Sequence, residues 1–83
     1  MFIQEWIEKF LKYMEVERSA SIHTLRAYKA DLKEFFEFIR KNPQEIELYD
    51  IRGFIAYKLK NNHKASSVNR KIATLRTFFK YLY

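Results

Sequence analysis

The chain holds few of the residue types from which catalytic and metal sites are built. It has two histidines, His23 and His63, and no cysteine. Neither histidine takes part in an HxxxH or HExxH spacing, so no zinc-ligand pattern is present. A single glycine, Gly53, excludes a glycine-rich phosphate loop. Because Asp31 and Asp50 are isolated in the sequence, no carboxylate pair or Ser/His/Asp set follows from spacing, and we expect a binding module with no metal and no cofactor.

The side chains best suited to bind something are cations and hydrogen-bond donors. Residues 1–50 hold eight Lys/Arg and all ten Asp/Glu, whereas residues 51–83 hold eight Lys/Arg and no acid, which gives balances of −2 and +8. A stretch without carboxylates in a folded domain creates a positive field on one side. Such a field points first to nucleic acid, then to an acidic membrane surface or protein.

Composition narrows the fold class. The 83 residues are 48% hydrophobic and include one glycine, one proline and 15 aromatics. So few turn formers exclude a protein of many strands, and the apolar content excludes a disordered tail. The absence of cysteine excludes a disulfide scaffold, and no apolar run approaches the length of a membrane span. We therefore expect one small helical domain over residues 1–83, with its aromatics mainly in the core.

Hydrophobic periodicity predicts an all-α, compact bundle of four helices, over residues 2–17, 22–41, 48–61 and 66–82. The first helix has an apolar stripe from Phe2 to Met14 and an acidic outer face. Ser21 is predicted to cap the second helix by accepting from the N–H near Thr24, and Ser66 or Ser67 to cap the fourth.

The third helix shows a less regular pattern. We expect Gly53 to mark close packing between helices, because glycine within a helix costs about 1 kcal/mol relative to alanine. The side chains expected to point inward from this helix are Leu48, Ile51, Phe54, Ile55 and Leu59.

Two of the predicted helices carry a basic face. The second presents its bases beside two alanines, Ala27 and Ala30, which leave a thin surface that can approach a groove. On the second helix the polar residues of this face are His23, Arg26 and Lys33, with Lys29 on its flank. On the fourth they are Ser66, Ser67, Asn69, Arg70, Lys71, Arg76, Thr77 and Lys80, with no acid among them. Such side chains bind phosphates and base edges.

Three stretches resemble the Xer-type tyrosine recombinases and phage integrases. Residues 21–32, SIHTLRAYKADL, resemble the second helix of that family, with its Ser and its Thr-Leu-x-x-Tyr-x-x-Asp-Leu pattern. Residues 50–57, DIRGFIAY, resemble the third helix, and residues 66–82, SSVNRKIATLRTFFKYL, the fourth. The three matches occur in the family's order and cover nearly the whole chain.

The resemblance implies the amino-terminal core-binding domain, a four-helix SAM-like bundle that forms one arm of a C-shaped clamp around DNA. In that family the second and fourth helices face the duplex, and these are the two basic helices here. We expect phosphate contacts from Arg26, Lys29, Lys33, Arg70, Lys71 and Arg76, and base-edge contacts from His23, Ser67 or Asn69. Thr24 and Ser66 complete the expected DNA-binding set, while Tyr28, Asp31, Leu32 and Phe79 match scaffold positions.

The chain departs from the family in two ways. Ile22 stands where the family often has proline, and the catalytic Arg, Lys, His and nucleophilic Tyr belong to a carboxy-terminal domain that these 83 residues do not contain. Tyr83 lacks the activating cluster that a nucleophile needs, so the chain is not expected to be an enzyme by itself. It reads as an excised domain.

The resemblance also implies partners and a location. The expected partners are double-stranded DNA at a recombination core site, the catalytic domain and other protomers of the recombinase, and no membrane. The isolated domain is expected to be monomeric, and the protein cytoplasmic and nucleoid-associated, encoded by a bacterium, an archaeon or a phage.

Two other functions remain open on the sequence. A helical adaptor module could dock its basic face on an acidic protein. Structured RNA is the other possible ligand, because its phosphates carry the same negative charge as those of DNA. Its deep, narrow major groove would not admit a helix, however.

Overall fold

The four predicted helices form, and they are joined by short connections. The computed structural model describes residues 3–61 and 64–83. The described elements are α1 (Ile3–Glu17), α2 (Ile22–Ile39), a 3-10 helix (Pro43–Glu45), α3 (Leu48–Lys60) and α4 (Ala65–Leu82). This confirms the all-α fold class, and no strand occurs in the described parts of the chain. The predicted start of the first helix at Phe2, and the loop position of His63, lie outside the described residues.

The connection between α1 and α2 is tight. Ser19 adopts a left-handed conformation with φ of 53°, and the N–H of Ala20 donates to the carbonyl of Met14 at 3.0 Å. The side chain of Ser21 then accepts from the N–H of Thr24 at 3.2 Å, which confirms the predicted cap of α2. These bonds fix the direction in which the basic half of α2 leaves the turn.

Two helices end earlier than predicted. α2 was expected to reach Lys41, but Arg40 takes a left-handed conformation with φ of 58° and its N–H donates to the carbonyl of Phe36 at 2.9 Å. This conformation ends the helix at Ile39. α3 ends at Lys60, and the C-cap residue Asn61 donates to the carbonyl of Tyr57 both from its backbone N–H at 3.2 Å and from its side-chain amide at 2.7 Å.

The predicted cap of α4 is wrong. The helix begins at Ala65, and its N-cap residue is Lys64, which makes no side-chain capping bond. Ser66 and Ser67 therefore lie inside the first turn. The sequence around Ser66 and Ser67 is compatible with a serine at the N-cap and with a serine in the first turn, so it could not determine which position they occupy.

Phenylalanine rings fill the core, as expected from the aromatic content. Phe10, Phe35, Phe54 and Phe78 are at most 2% exposed. The rings of Phe10 and Phe78 pack edge to face at 5.2 Å, as do those of Phe35 and Phe54. Edge-to-face pairs stabilise a core beyond the area that they bury. These two join α1 to α4 and α2 to α3, and the rings of Phe36 and Phe78, 5.9 Å apart, connect the two pairs of helices.

The third helix packs through a narrower face than its hydrophobic residues predicted. Its buried residues are Asp50, Phe54 and Lys58, at steps of four. Leu48 and Leu59 were expected to point inward, but they are 61% and 49% exposed. The expectation was wrong because two charged residues, each held by an ion pair, occupy the inward stripe.

The expected role of Gly53 is also wrong. It is exposed, and a Cβ added to it would have no neighbour within 4 Å. No helix approaches α3 at that point, so packing among the described residues does not require glycine there.

Candidate nucleic-acid interface

The front half of α2 presents an exposed basic edge. Arg26 and Lys33 are exposed, and neither forms an ion pair with another described residue. His23 is also exposed, while Thr24 is half-buried at the cap, where its hydroxyl accepts from that of Ser21 at 3.1 Å. This edge can reach an anion without first breaking a contact.

Lys29 differs from its neighbours on α2 because it faces α1. Its ammonium lies 3.5 Å from a carboxylate oxygen of Glu8, and both side chains are about half exposed. An exposed pair of this kind contributes at most about 1 kcal/mol. The ammonium of Lys29 can therefore exchange Glu8 for a phosphate at small cost.

On α4 the exposed candidates form a strip along the helix. Ser66, Asn69, Arg70 and Arg76 are exposed, and Ser67 is half-buried. The helix contains no acidic residue. Its exposed side is therefore a positive surface that contains no acid of its own, with hydroxyl and amide donors at its beginning.

The two basic helices are joined through a buried carboxylate on α2, Asp31. This residue is 2% exposed. One of its oxygens accepts from the guanidinium of Arg70 at 2.9 Å, and the other accepts from the hydroxyl of Thr74 at 2.9 Å. Because the Arg70 side chain remains 57% exposed, Asp31 fixes one edge of the guanidinium and leaves the rest facing solvent.

Lys71 is the most enclosed of the six cations predicted to bind phosphate. Its side chain is 14% exposed, and its ammonium lies 3.1 Å from Asp31 and 2.7 Å from Glu34. Burial acts to lower the pKa of Lys71, but hydrogen bonds to Glu34 and Asp31 outweigh it and raise the pKa above 10.5. The ammonium is therefore charged and already held by two acids.

The network continues to α3 through Glu34. Its carboxylate accepts from the buried ammonium of Lys58 and pairs with Lys71. Burial acts to raise the pKa of Glu34, but the bonds from Lys58 and Lys71 outweigh it and hold the pKa below 4.5. A group of two carboxylates and three cations thus links α2, α3 and α4 directly beneath the exposed face of Arg70.

Two exposed cations near this face were not among the predicted site residues. Lys80 was placed on the basic face of α4 but not in the DNA-binding set, and it lies four residues beyond Arg76 on the same helix. Arg18 lies between α1 and α2, where no sequence signal relates it to α4. Both line one cleft with Arg76.

Some other kinds of site are not seen among the described residues. No group of three or more His, Cys, Asp or Glu within residues 3–61 and 64–83 could hold a metal ion. None of the four described helices is both long and apolar enough to cross a membrane.

Comparison with known proteins gives the family. A model of the phage integrase N-terminal SAM-like domain matches residues 7–83. The chain is 45% identical over 80 residues to the tyrosine recombinase XerC of Thermodesulfovibrio yellowstonii, across 96% of this chain and 27% of the relative. It is 40% identical over 77 residues to XerC of Staphylococcus aureus, across 89% of this chain and 26% of the relative. No solved structure gives a significant match.

The chain therefore belongs to the family of phage integrase N-terminal SAM-like domains, which confirms the resemblance read from its three helical stretches. It spans about a quarter of the length of the curated relatives that it matches.

Proposed function

We propose that this chain is a DNA-binding domain of a site-specific tyrosine recombinase, which holds one half-site of duplex DNA against α2 and α4. The observation that carries the proposal is the pairing of two exposed basic surfaces by Asp31. Its carboxylate ties α4, which has no acid, to the basic edge of α2. The names of the XerC relatives support the same class of activity.

Phosphate contacts supply most of the affinity in this proposal. The cations assigned to phosphates are Arg26, Lys29, Lys33, Arg70 and Arg76. Lys71, the sixth predicted cation, acts instead by bracing Asp31 and Glu34, since its ammonium is held by both. Neutralising phosphates releases counterions, so binding of this kind weakens steeply as salt is added.

Base-edge contacts are assigned to the donors near the beginnings of the two helices. Asn69 is exposed on α4 and His23 on α2. Ser67 is half-buried, so it contacts a base edge only where the groove lies close to α4. Ser66 is assigned to phosphate, and Thr24 takes part in the cap of α2. Amide and hydroxyl groups can both read base edges in the major groove.

In this proposal the rest of a full-length recombinase supplies further contacts with the DNA. The relatives are about three and a half times as long as this chain. The catalytic domain and the other protomers then belong to a full-length recombinase that acts in the nucleoid. A single arm of a clamp binds weakly because it lacks the effective concentration that a second linked arm provides. We therefore expect the isolated domain to be a monomer of modest affinity.

The test is a titration of duplex DNA at several salt concentrations, read by fluorescence anisotropy. Five neutralised phosphates predict a slope of log affinity against log salt of roughly −4 to −5. Arg26→Ala and Arg76→Ala should each reduce the magnitude of this slope by about 1. Lys60→Ala is the matched control, because Lys60 is exposed on α3 and has no ion pair with a described residue.

A slope near zero for the unmodified chain would contradict the proposal. Binding to an acidic protein, with none to DNA, would favour the adaptor function. Equal slopes for duplex DNA and duplex RNA, with tighter binding to RNA, would favour RNA as the ligand.

A further inference from the structure

A basic cleft lies between the C-terminal halves of α1 and α4 and the second turn of α2. It has a volume of about 580 Å³, and its lining includes Tyr13, Arg18, Tyr28, Arg76, Lys80 and Tyr81. Of the lining residues Arg76 belongs to the predicted DNA-binding set, while Thr77 and Lys80 were placed only on the basic face of α4. The cleft is thus a distinct feature at the edge of that interface.

The charge of the cleft is uncompensated. Arg18, Arg76 and Lys80 are all exposed, and none of them pairs with a carboxylate among the described residues. No acidic residue lines the cleft. Three cations that share one concave surface concentrate the positive field there, and the arginines can donate two parallel hydrogen bonds to an oxyanion.

The aromatic wall of the cleft is held in place by the core. The rings of Tyr13 and Tyr81 lie 4.9 Å apart. The ring of the fully buried Phe10 lies 5.6 Å from that of Tyr28 and 5.5 Å from that of Tyr81. Because the wall is packed before any ligand arrives, little side-chain entropy is lost there on binding.

We infer that this cleft binds a phosphate group of the DNA backbone, through the guanidinium groups of Arg18 and Arg76 and the ammonium of Lys80. The inference rests on the proposed function and extends it. Ten residues of α4 separate Arg70 from Lys80, a distance of about 15 Å along the helix axis. The cleft therefore binds a different phosphate from the one that Arg70 contacts, which extends the interface along the DNA strand.

The main test is the double variant Arg18→Ala/Lys80→Ala in the same salt titration. The variant removes two of the three cations that hold one phosphate, so affinity for duplex DNA should fall about tenfold or more at low salt and the magnitude of the slope by about 1. The matched control is Lys9→Ala/Lys60→Ala. It removes the same net charge from exposed positions on α1 and α3 that lie outside the cleft.

The outcomes separate this inference from the proposed function. If the slope of the double variant equals that of the unmodified chain while Arg26→Ala still reduces it, the cleft does not bind phosphate, although α2 and α4 bind DNA. If the control double variant loses as much slope as the cleft variant, the effect is one of net charge and the inference fails. A slope near zero for the unmodified chain would overturn the proposed function instead.

A second measurement identifies the source of the phosphate. Inorganic phosphate, added at constant ionic strength to ¹⁵N-labelled chain, has the same chemistry but no strand. Saturable shifts of the Thr77 and Lys80 amides that vanish in the double variant would show that the cleft binds free phosphate as well. Shifts that appear with duplex DNA alone would assign the cleft to the backbone, and no shift with either probe would overturn the inference.

Discussion

At the scale of the residue, the proposed interface depends on acids that do not face the ligand. Asp31 accepts from Arg70 and Thr74 and pairs with Lys71, while only 2% of its surface is exposed. Buried acids of this kind contribute by satisfying and orienting the cations around them, so a change in the acid should alter groups that it touches on another helix.

Asp31→Asn tests this dependence. The amide keeps the shape of the carboxylate but not its charge, so Lys71 loses one of its two acids and Arg70 its partner. We expect the free energy of unfolding to fall by about 2–3 kcal/mol, below the full cost of an unpaired buried charge because Lys71 keeps Glu34 and Arg70 can turn to water. Urea denaturation followed by circular dichroism at 222 nm measures the change.

Glu37→Gln is the control for that measurement. Glu37 is an exposed carboxylate on the same helix and has no ion pair with a described residue. Its replacement should change the free energy of unfolding by less than about 0.5 kcal/mol. Equal losses in the two variants would mean that helix charge, and not the buried network, accounts for the effect.

At the scale of the element, α3 is held by fewer apolar contacts than its sequence indicates, and Gly53 lies on its exposed side. An added methyl group would touch nothing, while alanine restricts the unfolded chain and favours the helix. Gly53→Ala should therefore raise the free energy of unfolding by about 0.5–1 kcal/mol. Thermal and urea denaturation of the free chain provide the measurement.

Ala56→Gly is the reciprocal change, three residues further along the same helix at another exposed position. It should lower the free energy of unfolding by about 1 kcal/mol. A loss of stability in Gly53→Ala would show that something approaches α3 at this point after all. If Gly53→Ala is stable but binds DNA more weakly, glycine serves a close approach of the ligand.

Helix existence and the cap at Ser21 followed from the sequence because periodicity and a local capping bond are both properties of neighbouring residues. The inward face of α3 could not be predicted in this way, and the exposure of Leu48 and Leu59 was missed. That face depends on the bond from Lys58 to Glu34 of α2, which lies 24 residues earlier in the chain. The basic faces of α2 and α4 could likewise be predicted, because the charged residues of each helix are given directly by its sequence. Their connection through Asp31, and the enclosure of Lys71, arise from contacts across about 40 residues that no local pattern contains.

At the scale of the whole molecule, two carboxylates held by cations, Asp50 and Glu34, make the stability of the fold depend on pH. The pKa of Asp50 lies below its ordinary 3.8, first because its carboxylate accepts from the N–H of Glu47 at 2.8 Å and also because Lys41 binds it. The pKa of Glu34 likewise lies below 4.5. Both carboxylates bind protons more weakly in the folded chain than in the unfolded one.

The sign of the pH dependence follows from linkage. Because the unfolded chain takes up more protons in this range, the stabilisation is complete above the ordinary pKa values of 4.5 and 3.8 and is lost as pH falls through the lower folded values. The melting temperature should be nearly constant from pH 7 to about pH 5 and then fall steeply towards pH 2. Differential scanning calorimetry across that range measures it.

Glu34→Gln should be less stable at pH 7 and lose less stability on acidification, since one of the groups that titrates is gone. Glu37→Gln should follow the unmodified chain at every pH. A melting temperature that rises on acidification, or that falls equally in Glu34→Gln, would mean that these ion pairs do not determine the acid limb.

The ring contacts of the core have an optical consequence. Tyr13, Tyr81, Phe10, Phe78, Phe36, Phe35, Phe54, Phe38 and Tyr57 form an unbroken series of neighbouring rings from α1 to α3. Rings fixed in asymmetric surroundings give a near-ultraviolet circular dichroism signal, which a molten chain loses while its far-ultraviolet signal remains. The near-ultraviolet signal of the unmodified domain is therefore a reference. A variant that loses DNA binding but keeps this signal is still packed, whereas one that loses both is not.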